Sequence, residues 1–378
     1  MAQQQAQVNR EIDLRPAVIH RLSRYYQDGK PLFPIVEMVR LQSFISQNTH
    51  DSTSTLTIHD YFDYPLTCTK NENGCTSFVR LQNLQSCIAF VAKNPTQPRP
   101  PPFYSLGVQM GDPARAETNL ALIGLGSLRE DARKEYANVS SSQMVTTLWN
   151  KARHVLDESS YFNDILRPRV FEVLSSVGQH IENIVCFDFG TFEADTRSPP
   201  SFFPEGFACT AHHILPFYIR EQLKSSYGRA PGIIFQHIEY THDTARLLEG
   251  IGAGVFRDNV LAFRYVRENT LVIWICRDGH VQIPVKQIIA DFPYQAQPFP
   301  LPRAMIWPEE SDTPTTLQDI MDSPKVDPEN DEDKPAVTDD SPRTNKLHES
   351  YQKHELPPPN PDEPFHTTPK LAIYTRKY

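Results

Sequence analysis

The sequence predicts an α/β fold built on a mostly parallel, doubly wound sheet, with a smaller N-terminal α+β region and a disordered C-terminal tail. Three observations predict it. Short apolar runs alternate with helical patterns from Gln143 to Trp307, the order of elements that a parallel sheet with crossover helices requires. The runs are nearly continuous in apolar residues, as strands covered on both faces are. Beyond Trp307 the chain turns rich in Pro, Asp, Glu, Ser and Thr, a composition with little to bury.

The elements of this central region, 143–307, follow in order. Gln143–Leu156 carries Val145, Leu148, Ala152 and Val155 on one helical face. Ser159 or Ser160 caps the next helix, which Pro168 interrupts or restarts. Ile184–Phe187 reads as a buried strand, with Gly190 just beyond it. Ala208–Leu223 is helical, with Pro216 as a kink or a true start. Gly232–Phe235 is a second strand, Thr241–Glu249 a helix stopped by Gly250 or Gly252, and Ala253–Phe256 a third strand. Thr270–Ile275 is the strongest strand pattern. Val285–Asp291 is a short helix, and Ala304–Trp307 closes the set.

The flanking regions are less regular. Residues 1–142 read as an α+β region, with a helix, a turn at Asp28-Gly-Lys-Pro31 and a helix over Ile35–Ile45. A hairpin turn is expected at Asn71–Gly74, a proline-rich linker at 94–102 and a strand at Phe103–Gln109. Residues 308–378 read as a disordered acidic tail. Its last nine residues, from Lys370, turn apolar and basic, and read as a frayed end or a short docking segment.

Charge and cysteine usage exclude several classes. The chain has 378 residues and a net charge of -9. The segment from Pro308 onward holds 16 acids and 8 bases, leaving a body of 30 acids and 29 bases. Such a body lacks the basic footprint of a nucleic-acid binder. No apolar run approaches the ~18 residues of a membrane span, and the start lacks the pattern of a secretory signal. The expected location is therefore cytoplasmic or nuclear. The six cysteines are scattered without a CxxC pair, which suits reduced thiols.

Four stretches resemble the SRR-like family (sensitivity to red light reduced) in its fungal form: Ile184–Thr191, Gln236–Thr241, Glu268–Val272 and Pro284–Asp291. The resemblance implies a Rossmann-like domain and a regulatory association with circadian rhythm, light or stress responses, with no settled activity and no agreed cofactor. Three strand ends depart from the family pattern. The Gly-Leu-Gly turn is here Asp188-Phe-Gly190, the acidic residue after the second strand is His237, and the fourth strand ends in Cys276-Arg-Asp-Gly279.

Ligands of doubly wound sheets bind beyond the carboxyl ends of the strands. The candidate contacts are accordingly Asp188, Gly190, His237, Glu239 and Asp278. A phosphate cradle needs several glycines, and only Gly190 remains, beside a carboxylate that repels phosphate. Glu239 stands where a carboxylate could take sugar hydroxyls. His237, His242 and His280 would have to converge for a metal site, and no metal motif is present. No Gly-x-Ser-x-Gly elbow occurs, and no catalytic or metal-ligating residue is assigned. The reading is a non-enzymatic regulatory or interaction protein with a protein partner. The rival is an enzyme using a nucleotide-like or S-adenosylmethionine-like ligand in the same crevice.

Overall fold

The computed structural model describes residues 15–47, 55–59, 65–69, 76–81, 123–128, 141–192, 208–238, 240–275, 283–309, 341–358 and 370–377. The chain opens with two helices, α1 (Arg15–Gln27) and α2 (Ile35–Gln47). Gly29, at φ 66°, lies in the turn between them. Four short strands follow: β1 (Thr55–His59), β2 (Pro65–Thr69), β3 (Thr76–Leu81) and β4 (Ile123–Leu128). β1 pairs with β2 and β3 with β4, both antiparallel. Asn71–Gly74, where a hairpin turn is expected, lies outside the described residues. The expected linker at 94–102 and strand at Phe103–Gln109 lie outside the described residues.

Helix α3 (Ser142–Glu158) begins at Ser141, whose Oγ accepts from the Met144 amide. A π-helical stretch, Tyr161–Leu166, leads into α4 (Arg167–Leu174), with Pro168 in its first turn. Ser159 caps the stretch through its Oγ, which accepts from Phe162 N. Then come β5 (Asn183–Phe187), α5 (Ala208–Tyr227), β6 (Gly232–Gln236), α6 (His242–Gly250), β7 (Ala253–Phe256), β8 (Thr270–Trp274), α7 (Val285–Ala290) and β9 (Ala304–Pro308). Pro216 lies inside α5, which runs through it.

These strands form a seven-stranded sheet with two more from the C-terminal segment, β10 (Tyr351–Glu355) and β11 (Leu371–Arg376). The order is β10-β11-β9-β8-β5-β6-β7. The five strands from β9 to β7 are parallel, while β11 runs antiparallel to β9 and β10 to β11. From β5 the chain winds outward to β6 and β7, then returns to β8 on the other side. The order reverses between β5 and β8, the place where such sheets open a crevice.

Side-chain alternation splits the core between the two faces. Ile184, Cys186, Ile273 and Ile306 pack with α3, α4, α5 and α6. Val185, Phe187, Val272, Trp274, Met305 and Trp307 pack on the opposite face with α7. Leu22, Ile35, Met38 and Leu41 of the N-terminal helices, and Phe33 between them, join that second core. Residues on both sides of position 142 thus share that core. Among the described residues no helix is long and apolar enough to cross a membrane.

The expectation of a disordered acidic tail over 308–378 is corrected for two stretches, 341–358 and 370–377. Helix α8 (Pro342–Glu349) starts with a capping box between Ser341 and Thr344. Arg343 on it pairs with buried Asp291, donates to the Lys30 carbonyl at 2.5 Å, and lies over the rings of Tyr26 and Tyr294. One guanidinium thus ties the C-terminal segment to α7 and to the N-terminal helices. β11 is buried from Leu371 to Thr375, with Leu371 and Ile373 on one face and Ala372 and Tyr374 on the other. The frayed-end reading of the last residues is thus corrected, since Leu371–Arg376 pairs with β9. Average composition misled here, because the buried apolar residues are gathered in one short strand, Leu371–Tyr374, within a long polar segment. The acidic Glu309 is balanced by Lys353 at 2.6 Å and Lys370 at 2.5 Å. Residues 310–340 and 359–369 lie outside the described residues.

Candidate functional site

The site starts from register. β5 and β6 run in parallel with Phe187 beside Gln236, so the next residues, Asp188 and His237, come side by side. The ladder continues one step past each strand. Asp188 N–H donates to the Gln236 carbonyl at 3.1 Å, and His237 N–H donates to the Phe256 carbonyl at 3.1 Å. His237 Nδ1 lies 3.0 Å from Asp188 Oδ1, and the two side chains are only 1% and 5% exposed. Gln236 secures the strand end from the other direction, its Oε1 accepting from Ala262 N at 2.6 Å.

The turn after β5 is built on two left-handed residues. Asp188 has φ 60° and Gly190 φ 77°. Short polar side chains tolerate that region, and glycine enters it freely. Gly190 is constrained a second time by packing: a Cβ there would stand 2.8 Å from Cys209 Sγ, in the first turn of α5. Asp188, Phe189, Gly190, Thr191 and Phe192 are all buried. Phe192 packs against Trp149 and His213, and Phe189 against His213 and Phe235. Aromatic rings thus occupy the ground between the β5 turn and the start of α5.

A second polar chain runs beside the first. His213 Nδ1 lies 2.7 Å from the Cys209 carbonyl, and its Nε2 lies 2.7 Å from the Tyr240 hydroxyl. A carbonyl only accepts, so Nδ1 carries the proton and the Tyr240 hydroxyl donates to Nε2. Burial lowers the His213 pKa to about 3, opposed by the bond to Cys209, so the ring is neutral. Burial also holds the Tyr240 hydroxyl well above its ordinary range, with Cys186, Asp188 and Cys209 adding to the effect. The Tyr240 and His237 rings meet edge to face, centres 5.4 Å apart. Asp188, His237, Tyr240 and His213 therefore form one buried polar cluster from the strand ends to α5.

Of the five sequence-chosen residues, the structure brings Asp188 and His237 together and sets Gly190 two residues on. Glu239 and Asp278 lie outside the described residues, as does His280. His242 is exposed and bonded to Arg246 at 2.7 Å, so it does not converge with His237. Among the described residues no group of three or more His, Cys, Asp or Glu is placed to hold a metal ion. His213 and Tyr240 were not chosen from sequence. Tyr240 lies within Gln236–Thr241, one of the stretches that carry the family resemblance.

Chemically, a carboxylate beside an imidazole can orient the ring and stabilise its protonated form. The polar neighbours are committed to structure: Tyr240 to His213, Gln236 to Ala262. The Cys186 thiol is pushed well up by burial, against reactivity. Fold and site together define an α/β protein with a mostly parallel sheet and a buried Asp–His pair at the point where the strand order reverses. No protein family, curated protein or solved structure matches the chain.

Proposed function

We propose that this chain is a non-enzymatic regulatory or interaction protein built on a Rossmann-like domain of the SRR-like family, acting through a protein partner in cytoplasm or nucleus. The observation that carries the reading is the filled turn after β5. Phe189 and Phe192 are buried where a dinucleotide phosphate would need open backbone, and Gly190 abuts Cys209. The Asp188 carboxylate adds repulsion toward any phosphate there. The circadian, light or stress association rests on the sequence resemblance alone. Calorimetric titration of the full chain with nucleotides, S-adenosylmethionine and haem tests the proposal. No heat of binding at the β5 turn is expected. Micromolar binding that disappears in Asp188→Asn or Glu239→Ala would overturn it.

One observation favours the rival reading, an enzyme with a nucleotide-like or S-adenosylmethionine-like ligand. Asp188 is a non-glycine residue at φ 60°, buried against His237 at the topological switch. Left-handed strain at such a place costs roughly 1–3 kcal/mol and gathers at functional sites. The same titration decides between the two.

A further inference from the structure

The seven-stranded sheet ends in β10 on one side and β7 on the other, and the two edge strands differ. β10 carries Lys353, His354 and Glu355. Charges of that kind keep an edge from pairing with other chains. β7 reads Ala253-Gly-Val-Phe256, with neither a charge nor a proline. Its one strand neighbour among the described residues is β6, in parallel register. Gly254 is exposed, and Val255 and Phe256 are half-buried. Tyr265 stands beside this edge, its ring centre 5.4 Å from that of Phe256. Tyr265 is 45% exposed, so uncovered apolar surface gathers here.

The backbone of β7 fixes what its open side offers. The Phe256 carbonyl accepts from His237 N–H, so Phe256 turns its backbone groups toward the β6 side. Successive residues of a strand turn theirs to opposite sides. Gly254 therefore also faces β6, while Ala253 and Val255 present N–H and C=O outward. Side chains alternate between the two faces of the sheet. Gly254 and Phe256 share the face on which Ile234 and Tyr265 lie, and Val255 packs on the opposite one. One face of the edge thus carries a ring and, two residues before it, a gap where a side chain is missing.

We propose that β7 is a self-pairing edge, which joins two copies of this chain into a dimer through an antiparallel β7–β7 ladder with its two-fold axis at Val255. The strand's own features match that register. Val255 lies opposite Val255 of the second copy, and each donates its outward N–H to the other's carbonyl. Phe256 lies opposite Gly254 of the second copy, in a non-hydrogen-bonded pair with Cα atoms ~4.5 Å apart. A ring laid over an edge glycine fills the gap and covers the bare backbone, and the two-fold axis repeats the contact. An axis at Gly254 would oppose residues whose backbone groups already face β6. An axis at Ala253 would set Gly254 against Gly252 instead of against a ring. The same patch serves both copies, as in any two-fold dimer. The surface is separate from the turn after β5 and does not depend on whether that turn binds a ligand.

Sedimentation velocity of the full chain from about 1 to about 200 μM tests the association, and amide exchange at the two ends of that range locates it. The expected result is a monomer–dimer equilibrium. At high concentration the Ala253 and Val255 amides slow more than those of Gly254 and Phe256, which already face β6. Gly254→Lys sets a charge against the opposing ring. A Cβ at this position meets Ile234 Cγ1 at 3.7 Å, an ordinary contact, so the variant folds. It weakens dimerisation by about tenfold or more. Should its melting temperature drop nonetheless, Val255→Pro decides, because it removes the outward N–H, a change that edge strands accept. Gln352→Lys on β10 is the control and leaves the dimer intact. A chain that is monomeric at every concentration leaves the edge to some other molecule and overturns the proposal. So does a dimer undiminished in both β7 variants, or one whose Ala253 and Val255 amides exchange as freely as in the monomer. Loss of the dimer in Gln352→Lys assigns the interface to β10 and also overturns it.

Discussion

His237 Nδ1 stands 3.0 Å from Asp188 Oδ1, with both side chains buried. The contact follows from the parallel register of β5 and β6, extended by one residue on each strand. Asp188 therefore meets two demands at once. Its backbone must hold φ 60°, and its carboxylate must face an imidazole in a place that water does not reach.

The two demands separate by substitution. Asp188→Asn keeps a side chain that tolerates the left-handed region but removes the charge. Asp188→Val removes the charge and adds β-branched strain, costing a further ~1–3 kcal/mol. Urea denaturation should rank wild type above Asn and Asn above Val. A valine variant as stable as the asparagine variant would mean that the backbone at 188 is unstrained.

Gly190 and Gly228 offer a matched comparison. Their φ values are 77° and 74°, yet a Cβ at Gly190 meets Cys209 Sγ at 2.8 Å while a Cβ at Gly228 meets nothing within 4 Å. Gly228→Ala should cost only the left-handed penalty, about 1–2 kcal/mol. Gly190→Ala should cost more, and Cys209→Ala in the same chain should recover part of the excess. Additive effects in that double-mutant cycle would show that the sulfur is not the obstacle.

The five parallel strands were legible because each is a short apolar run closed off by polar or turn residues; Ile184–Phe187 and Ala253–Phe256 illustrate this. Asp188, Gly190 and His237 were legible because a doubly wound sheet gathers its strand ends. His213 was not. Its partner is Tyr240, 27 residues away and joined only through the fold. β11 was hidden for a related reason. Four apolar residues among prolines and acids carry no periodicity, and the strand exists because β9 and β10 flank it.

That strand yields the third prediction. Ile373 is fully buried, between β9 on one side and β10 on the other. Ile373→Asp places an unpaired carboxylate in the core and should cost several kcal/mol, on the order of the whole stability of a domain. In the wild-type chain, amide exchange should protect β11 as strongly as β9. Rapid exchange at Leu371–Tyr374, or a soluble Ile373→Asp variant with unchanged melting, would remove the C-terminal segment from the sheet.

The last prediction concerns acid. The pKa of His213 falls from the ordinary 6.5 to about 3, chiefly through burial, with His212 and His237 lowering it further and the bond to the Cys209 carbonyl opposing. Below about pH 6.5 an unfolded His213 takes up a proton, while the folded ring stays neutral until about pH 3. The unfolded state therefore holds the extra proton throughout that window, and stability falls as pH falls through it. The slope from one such histidine is roughly 1 kcal/mol per pH unit. His348, also held at about 3, adds a second contribution of the same sign. His213→Gln cannot titrate and retains an amide for hydrogen bonding. Its unfolding free energy, measured in urea from about pH 7 to about pH 4, should decline less steeply than that of the wild type by about one histidine's slope. Parallel curves would show that His213 ionises in the folded chain as readily as in the unfolded one, and that the hydrogen bonds to Cys209 and Tyr240 do not hold it neutral.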